Sequence, residues 1–371
     1  MILTDVLIIG AGAAGASLGY RLAGQRRVTL LEAEDQPGYH STGRSAALYT
    51  ATYGHAVIRA LTLASRDFLL DPPDGFAEVP LMRPRRVLWI GREDQKPSLA
   101  AELAQAGDLA DACSVEHALA LCPALKPGYV AGALLEREGY DIDVAALHQG
   151  YLAGFRRAGG ALVCGARVTA IRRAGGGWEV SADGQTYACE VVVNAAGAWA
   201  DEIAELAGLP RVGLAPKRRT AITFDPPAGV DVSAWPCVLD ADEQFYFRPD
   251  AGRIFGSPAD ETPSPPCDAQ PEDLDVAIAA DRIETATTLE VARIAARWAG
   301  LRTFAADKVP VVGMDPDAPG FFWLAGQGGY GIMTSPALSG LAAQLILSGS
   351  LPAASAGGSV TAGALSPARF L

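Results

Sequence analysis

The stretch Asp5–Gly15 reads DVLIIGAGAAG, a run of apolar residues that ends in three spaced glycines. A short apolar run bounded by glycine is typical of a buried parallel β-strand. Gly10 permits a tight turn, Gly12 lets a pyrophosphate approach the backbone, and Gly15 lets the following helix pack closely on the strand. The stretch therefore predicts a strand followed by a phosphate-binding turn.

The residues that follow agree with this prediction. A helix is expected over residues 13–23, and its first residues, Ala13 and Ala14, would aim backbone amides at a phosphate. A second apolar strand lies within Arg27–Ala33, RVTLLEA, and carries Glu32, 22 positions after the first glycine of the turn. An acid there can bind a ribose hydroxyl but would repel a 2′-phosphate, which disfavours NADP and leaves NAD and FAD open.

Length and composition limit the class of protein. A chain of 371 residues that is 50% hydrophobic predicts two lobes with a sizeable core. The net charge of -12 and the scattered basic residues disfavour a nucleic-acid partner. The six cysteines form no C-x-x-C pair, which indicates free thiols in a reducing compartment. We find no signal peptide or membrane-spanning segment, and we expect a cytoplasmic protein.

A polar loop over residues 41–46, STGRSA, follows the second predicted strand. An NAD-binding domain has no particular need for such a loop, whereas a flavin could use it. Its hydroxyls and amides could contact the diphosphate and ribitol, and its arginine could contact a charged or carbonyl oxygen. The alternative is a surface loop whose arginine pairs with a neighbouring acid. The candidate cofactor contacts in this loop are Ser41, Thr42, Arg44, Ser45 and Ala46.

Four separate stretches, GYHSTGRSAALYT (38–50), VVVNAAGAW (191–199), WAGLRTF (298–304) and GQGGYGIMTS (326–335), carry a family resemblance. Together they resemble the FAD-dependent D-amino acid oxidase and dehydrogenase family, and most of all its members that oxidise D-arginine. The resemblance implies an α/β fold, α+β overall, with a Rossmann-like FAD-binding domain and a mainly antiparallel β substrate-binding domain. We assign residues 1–82, 142–214 and 308–371 to the first domain and 83–141 and 215–307 to the second. The small, polar stretch 357–363 is expected to be a loose terminal region.

The resemblance also implies non-covalent FAD and further cofactor contacts beyond the turn and the polar loop. These are Val168, Ala196, Gly197, Trp199, Gly328, Gly329, Tyr330, Gly331 and Ile332. The helix that starts beside the last glycines could place its positive end against the flavin pyrimidine.

Two arginines match the positions at which this family binds the substrate carboxylate, and a guanidinium suits that task because it donates two parallel hydrogen bonds. They are Arg302 and Arg219, although Arg218 could take the place of Arg219. The other residues to which the resemblance assigns the reaction are Tyr53, Tyr246 and Gly329. The predicted pocket walls are Leu48, Thr50, Val87 and Tyr330.

Two positions depart from the family members that oxidise D-arginine. Leu48 stands where those enzymes have a histidine beside the reacting amine, and Val87 stands where they have a glutamate that pairs with the guanidinium of the substrate. An apolar residue leaves a buried cation without a partner, which costs several kcal/mol. D-arginine is therefore expected to be a poor substrate, and the missing histidine is expected to shift activity to higher pH.

The resulting hypothesis is FAD-dependent oxidative deamination of neutral, hydrophobic D-amino acids by hydride transfer from the α-carbon to flavin N5, which gives a 2-oxo acid and ammonia. The electron acceptor, oxygen or a quinone, stays open. A secondary amine such as sarcosine or a cyclic imino acid, or a 2-hydroxy acid, is the alternative substrate. A flavin-binding protein without catalytic activity is a third interpretation.

Overall fold

The computed structural model describes residues 1–351 and 360–371. Residues 352–359 lie outside the described part. They include part of the terminal stretch 357–363 and part of the predicted FAD-binding segment 308–371.

A six-stranded sheet forms the centre of one half of the molecule. Its neighbouring strands are parallel except for the last pair. In spatial order they are β10 (Ala161–Val163), β3 (Val28–Leu31), β2 (Val6–Ile9), β14 (Val191–Asn194), β22 (Phe321–Ala325) and β21 (Val311–Met314). The predicted strands at the start of the chain are thus confirmed as adjacent parallel strands. They are joined by α1 (Ala13–Leu22), the predicted helix.

The two faces of this sheet are covered by different layers because side chains alternate along a strand. Val6 and Ile8 of β2 pack in a core cluster with helices α1, α2 (Ala56–Leu70), α5 (Val144–Arg157) and α8 (Gly331–Ser348). Leu7 and Ile9 belong to a second cluster, together with Trp178. That residue lies in a four-stranded sheet of β1 (Ile2–Leu3), β13 (Gln185–Cys189), β12 (Gly177–Ala182) and β11 (Val168–Ala174).

A ten-stranded, largely antiparallel sheet forms the other half. In spatial order its strands are β23 (Gln327–Gly328), β20 (Ile294–Phe304), β15 (Ala215–Phe224), β18 (Arg253–Ser257), β17 (Tyr246–Asp250), β16 (Cys237–Asp240), β6 (Val87–Gly91), β8 (Gly132–Glu136) and β7 (Ala110–Cys113), with β19 (Thr262–Pro263) paired to β15. Strands β16 and β6 are parallel, which the sequence did not predict. The α/β fold class with a mainly antiparallel second half is confirmed.

The remaining elements connect or cover these sheets. A three-stranded sheet consists of β4 (Leu48–Thr50), β9 (Gly139–Ile142) and β5 (Met82–Pro84). The other helices are α3 (Lys96–Ala106), α4 (Val115–Leu121), α6 (Ala200–Leu206), α7 (Asp273–Ala286) and α9 (Ala362–Leu365). Short 3₁₀ turns span Glu93–Gln95, Gly107–Leu109, Gly197–Trp199 and Pro367–Arg369. The domain boundaries drawn from the sequence stay a prediction.

Two predicted helices have the expected local signals. The backbone N–H of Ala146 donates to Oδ1 of Asp143 at 2.8 Å, so Asp143 caps α5 as predicted. Helix α8 starts at Gly331, the last glycine of the fourth family stretch.

Helix α8 is, among the described helices, the one whose length and hydropathy would suffice to cross a membrane. However, 56% of its residues are buried inside the protein, and it packs against α1 and α2. Such burial is typical of a core helix, and the expected lack of a membrane-spanning segment stays a prediction.

The turn after β2 leaves no room for larger residues. Gly10 has φ +100°, a conformation that favours glycine, and a Cβ on Gly15 would overlap the carbonyl oxygen of Gly10. We predict that Gly15→Ala destabilises the protein by about 3 kcal/mol or more, the upper end of overpacking penalties. Gly340→Ala in α8 is the matched control, because a Cβ there meets nothing within 4 Å, and it should stabilise by about 0.5–1 kcal/mol. Thermal unfolding measures both, and equal melting temperatures for the two variants would contradict the role of Gly15.

Candidate active site

A cavity of about 620 Å³ lies between the glycine turn after β2 and one face of the ten-stranded sheet. It brings together most of the residues predicted from the sequence. The predicted cofactor contacts that line it are Gly10, Gly12, Ala13, Ala14, Glu32, Ser41, Thr42, Arg44, Ser45, Ala46, Val168, Ala196, Gly197, Trp199, Gly328, Gly329, Gly331 and Ile332. The predicted substrate residues that line it are Leu48, Thr50, Tyr53, Arg219, Tyr246 and Arg302.

Three predicted residues do not line the cavity. Gly15 lies behind the turn, where it packs against Gly10. Val87 is completely buried in a cluster with Leu48 at its edge, so the expectation that it forms a pocket wall needs correction. Tyr330 is also buried, with its ring 5.3 Å from that of Tyr53, and it supports the wall from behind.

The carboxylate of Glu32 is held in place at one end of the cavity. Its Oε2 accepts a hydrogen bond from the N–H of Ala11 at 2.9 Å, and its Oε1 accepts one from the N–H of Glu34 at 3.1 Å. The carbonyl of Ala11 is in turn bonded to Nε2 of His148 at 2.8 Å. Burial lowers the pKa of His148, which favours the neutral ring. No signal in the sequence pointed to His148, because it lies on α5, far from the turn along the chain.

The polar loop joins the two halves of the molecule. The N–H of Ala13, at the start of α1, donates to Oγ1 of Thr42 at 3.0 Å. The hydroxyl of Ser41 donates to the carbonyl of Leu301 on β20 at 2.6 Å. The loop therefore closes the cavity along one side.

Arg44 uses several of its donors on protein oxygens. Its Nη1 donates to the carbonyls of Ala269 and Ala299 at 2.9 and 3.0 Å, and its Nη2 pairs with Asp268. The Arg44 hydrogen bond lowers the pKa of Asp268. The guanidinium of Arg44 is therefore paired with a neighbouring acid, as in the alternative interpretation of the loop. Arg44 nevertheless lines the cavity.

Arg219 and Arg302 lie on one face of the ten-stranded sheet. In the antiparallel ladder Arg219 is opposite Gly300, and Arg302 is opposite Lys217. Residues two apart on a strand share a face, so the two arginines are diagonal neighbours on adjacent strands. Arg218 points to the opposite face. There it pairs with Glu272 and Asp275 on the side of α7, which removes it as an alternative.

The guanidinium of Arg302 lies against backbone and a phenol. Its Nη2 is 3.4 Å from the hydroxyl of Tyr246, to which it donates. A Cβ on Gly329 would lie 2.8 Å from Cζ of Arg302. The absence of a side chain at Gly329 is therefore what lets the arginine occupy this position.

Arg219 is fixed at its inner end and open at its outer end. Its Nε donates to the carbonyl of Asp260 at 2.7 Å, and its Nη2 lies 3.6 Å from Oε1 of Glu261. Among the described residues, the terminal nitrogens of Arg219 have no hydrogen-bond acceptor within bonding distance. Two guanidinium groups with N–H donors to spare beside one cavity form a site for an anion, and a carboxylate matches their planar fork.

Tyr53 also lines the cavity, close to Arg302. Its hydroxyl donates to Oε2 of Glu243 at 2.7 Å. Burial raises the pKa of Tyr53 well above its usual value, so the phenol stays protonated.

The glycine turn and the two guanidinium groups of the ten-stranded sheet line one cavity, an arrangement typical of a dinucleotide-dependent enzyme. Residues 5–345 match the family model described as DAO, FAD dependent oxidoreductase. The chain belongs to this family, and its cofactor is FAD.

Individual relatives extend this result. The chain is 26% identical to glycine oxidase of Geobacillus kaustophilus over 365 residues, which cover 92% of each protein. It is 29% identical to FAD-dependent oxidoreductase domain-containing protein 1 of Xenopus laevis over 189 residues, 46% of this chain but only 37% of that protein. Its fold matches the crystal structure of L-proline dehydrogenase from P. horikoshii with a TM-score of 0.85 at 20% identity, covering 100% of this chain and 98% of the other.

The residues at the turn fit FAD. Gly12 at the N-cap has no side chain that could cap α1, and the first turn contains no acidic residue. Although the N–H of Ala13 donates to Thr42, the other amides of this turn and the helix dipole favour the diphosphate. A Cβ on Gly12 would meet Oγ1 of Thr42 at 3.1 Å, so glycine keeps the approach to the backbone open. Glu32 is already oriented by two backbone donors and retains lone pairs for a ribose hydroxyl.

We predict that Glu32→Gln weakens FAD binding about tenfold to a hundredfold, because one charge-assisted hydrogen bond is worth about 1.5–3 kcal/mol. Fluorescence titration of FAD into the apoprotein measures this change. The control is Glu179→Gln, since Glu179 pairs with Arg172 and does not line the cavity. An unchanged Kd for FAD in Glu32→Gln would refute the proposed hydrogen bond between Glu32 and the ribose.

Proposed function

We propose that the protein oxidises the Cα–N bond of D-amino acids with neutral, hydrophobic side chains. One observation carries this proposal: Arg219 and Arg302 present N–H donors to a cavity that also contains the dinucleotide-binding turn. A substrate carboxylate held there lies between the sheet and the cofactor, which is the grip that amino acid oxidation requires.

The residues of the chain bind and orient the substrate. Arg302 donates a pair of hydrogen bonds to the carboxylate, Arg219 adds charge, and the hydroxyl of Tyr246 holds the guanidinium of Arg302 in place. FAD, when bound, supplies the acceptor for the hydride of the α-carbon. The amine loses a proton as the hydride leaves, and hydrolysis of the resulting imino acid gives a 2-oxo acid and ammonia.

The expected preference for neutral side chains is supported by the apolar walls of the substrate part of the cavity. These walls include Leu48, Leu239 and Phe255. The described residues that line this part, from β4 and from the ten-stranded sheet, include no acid. A substrate cation would therefore be buried without a partner, and D-arginine should react slowly.

Glycine or a secondary amine such as sarcosine or a cyclic imino acid is the second candidate substrate. The similarity to glycine oxidase over 92% of both chains favours it. The same arginines would hold the carboxylate of these substrates. The two candidate substrate classes therefore differ in which part of the substrate contacts the apolar walls of the cavity.

Three further proposals concern the surroundings of the reaction. FAD is held non-covalently, which is supported by the lack of cysteine among the described residues that line the cavity. Oxygen or a quinone takes the electrons from the reduced cofactor. The protein works in the cytoplasm.

The substrate class is tested by anaerobic spectrophotometry of the purified protein with FAD bound. D-leucine, D-phenylalanine, D-methionine and D-arginine are added in turn, with their L-enantiomers, glycine, sarcosine and proline for comparison. Fast bleaching by the hydrophobic D-amino acids and slow bleaching by D-arginine is the expected result. Preference for glycine or sarcosine would establish the second candidate, and bleaching by none would overturn amine oxidation.

The proposed binding of the substrate carboxylate by Arg302 makes a separate prediction. Arg302→Met should raise KM for every amino acid by about a hundredfold or more, because a buried charge-assisted pair is lost. Arg302→Lys should recover part of the loss, since it restores the charge but not the fork. Arg297→Met on the same strand is the control, because Arg297 is exposed and pairs with Asp273. Steady-state kinetics that are the same for all three variants would refute the role of Arg302.

A further inference from the structure

Glu136, the last residue of β8, is a buried carboxylate that the proposed reaction has not yet used. It is only 3% exposed. Its Oε1 accepts hydrogen bonds from Oγ1 of Thr50 and of Thr52, each at 2.7 Å, and from Nε1 of Trp89 at 3.0 Å. Its Oε2 is buried and has no hydrogen-bond partner among the described residues.

The register of the ten-stranded sheet places Glu136 on the face that binds the substrate. Tyr246 of β17, which lines the cavity, is opposite Leu239 of β16. Leu239 is in turn opposite Trp89 of β6, and Trp89 is opposite Leu134 of β8. Glu136 is two residues beyond Leu134, so its side chain leaves the sheet on the same side. The carboxylate therefore shares a face with the arginines, several strands away from them.

Thr50 connects this carboxylate to the cavity. Of the three residues that donate to Glu136, Thr50 lines the cavity, whereas Thr52 and Trp89 do not. A threonine hydroxyl has one proton to donate and two lone pairs to accept. While it donates to Glu136, the oxygen of Thr50 can still accept a hydrogen bond from a substrate N–H.

The surroundings make Glu136 ready to exchange a proton near neutral pH. Burial raises the pKa of its carboxyl to about 7, although the bonds from Thr50, Trp89 and Thr52 lower it, and the charge of Glu102 on α3 raises it further. The charge of Glu136 also acts on two nearby titratable groups, Tyr49 on β4 and Cys237 on β16. Burial raises the pKa of both, to about 12 for Cys237, so both are neutral at that pH.

We propose that Glu136, acting through Thr50, accepts the proton that the substrate amine releases. The substrate ammonium passes one proton to Oγ1 of Thr50 while the hydroxyl proton of Thr50 moves to Oε1 of Glu136. The products are a neutral amine and a neutral carboxylic acid, and Thr50 is unchanged. This inference rests on the proposed amine oxidation.

The assignment explains why a carboxylate is buried without a cationic partner. An uncompensated buried charge is costly unless the group can take up a proton, and here the proton arrives with the substrate. It also replaces the expectation drawn from Leu48: a proton acceptor is present although the family histidine is missing. Glu136 is thus a positioning residue that works through Thr50.

Anaerobic reduction kinetics across pH test the inference with the protein in its FAD-bound form. The probe is the substrate that bleaches the wild type fastest among those named above. Because the carboxylate form accepts the proton, wild-type kcat/KM should rise with pH through an ionisation near neutrality. Glu136→Gln should lack this ionisation and be about a hundredfold slower at about pH 7. It should approach the wild type at about pH 10, where more of the amine is already neutral.

Thr50→Val and Thr52→Val form a matched pair, because each removes one hydrogen bond to the same oxygen. Both should raise the pKa of Glu136. Thr50→Val should also behave like Glu136→Gln in the pH profile, whereas Thr52→Val should keep the ionisation and the high-pH rate. Identical profiles for the two threonine variants would overturn the relay.

A purely structural role for Glu136 would give a different pattern. Glu136→Gln would then lose activity equally at every pH, or keep the wild-type profile, and either result overturns the inference. If no amine bleaches the wild type, the proposed function itself fails. Infrared titration of the substrate-free wild type and of Thr50→Val measures the pKa of Glu136 independently. A protonated carboxyl band that does not titrate near neutrality would contradict the assignment.

Discussion

The contact between Gly15 and the carbonyl of Gly10 fixes the distance between α1 and β2, and with it the position of the helix N-terminus. No residue with a Cβ fits at Gly15, so the helix lies as close to the strand as backbone allows. From this turn the chain places the carboxylate of Glu32 at one end of the cavity. The face of the ten-stranded sheet that carries Arg219 and Arg302 forms the opposite wall.

Local signals in the sequence predicted the elements that carry their own information. The glycine turn identified β2 and α1, and Asp143 with the glycines after residue 158 identified α5, because caps and turns act over a few residues. The parallel pairing of β6 with β16 could not be predicted, since it joins strands about 150 residues apart in the chain. Glu136 was missed for the same reason: only the register between β6 and β8 shows which face it shares. Val87 was predicted to line the pocket because its position matches a pocket residue of the family that the sequence resembles. Such a match carries no information about whether the valine itself is buried.

The substrate face has a charge pattern that suits a zwitterion. Two guanidinium groups lie on β15 and β20, and a titratable carboxyl lies on β8 behind Thr50, with apolar and aromatic side chains between them. An amino acid has the complementary arrangement, a carboxylate and an ammonium joined by one carbon. A rigid sheet holds such groups more accurately than loops do. In the proposed reaction, both ends of the substrate are recognised by residues that come from widely separated parts of the sequence.

The polar loop over residues 41–46 binds the start of α1 through Thr42 and strand β20 through Ser41 and Arg44. The same few residues line the wall of the FAD cavity and tie the substrate sheet to the nucleotide-binding fold. Any ligand that selects the ordered loop stabilises both connections by mass action. FAD bound against this loop would therefore also stabilise the folded protein, because the residues that line its cavity join the two halves of the molecule.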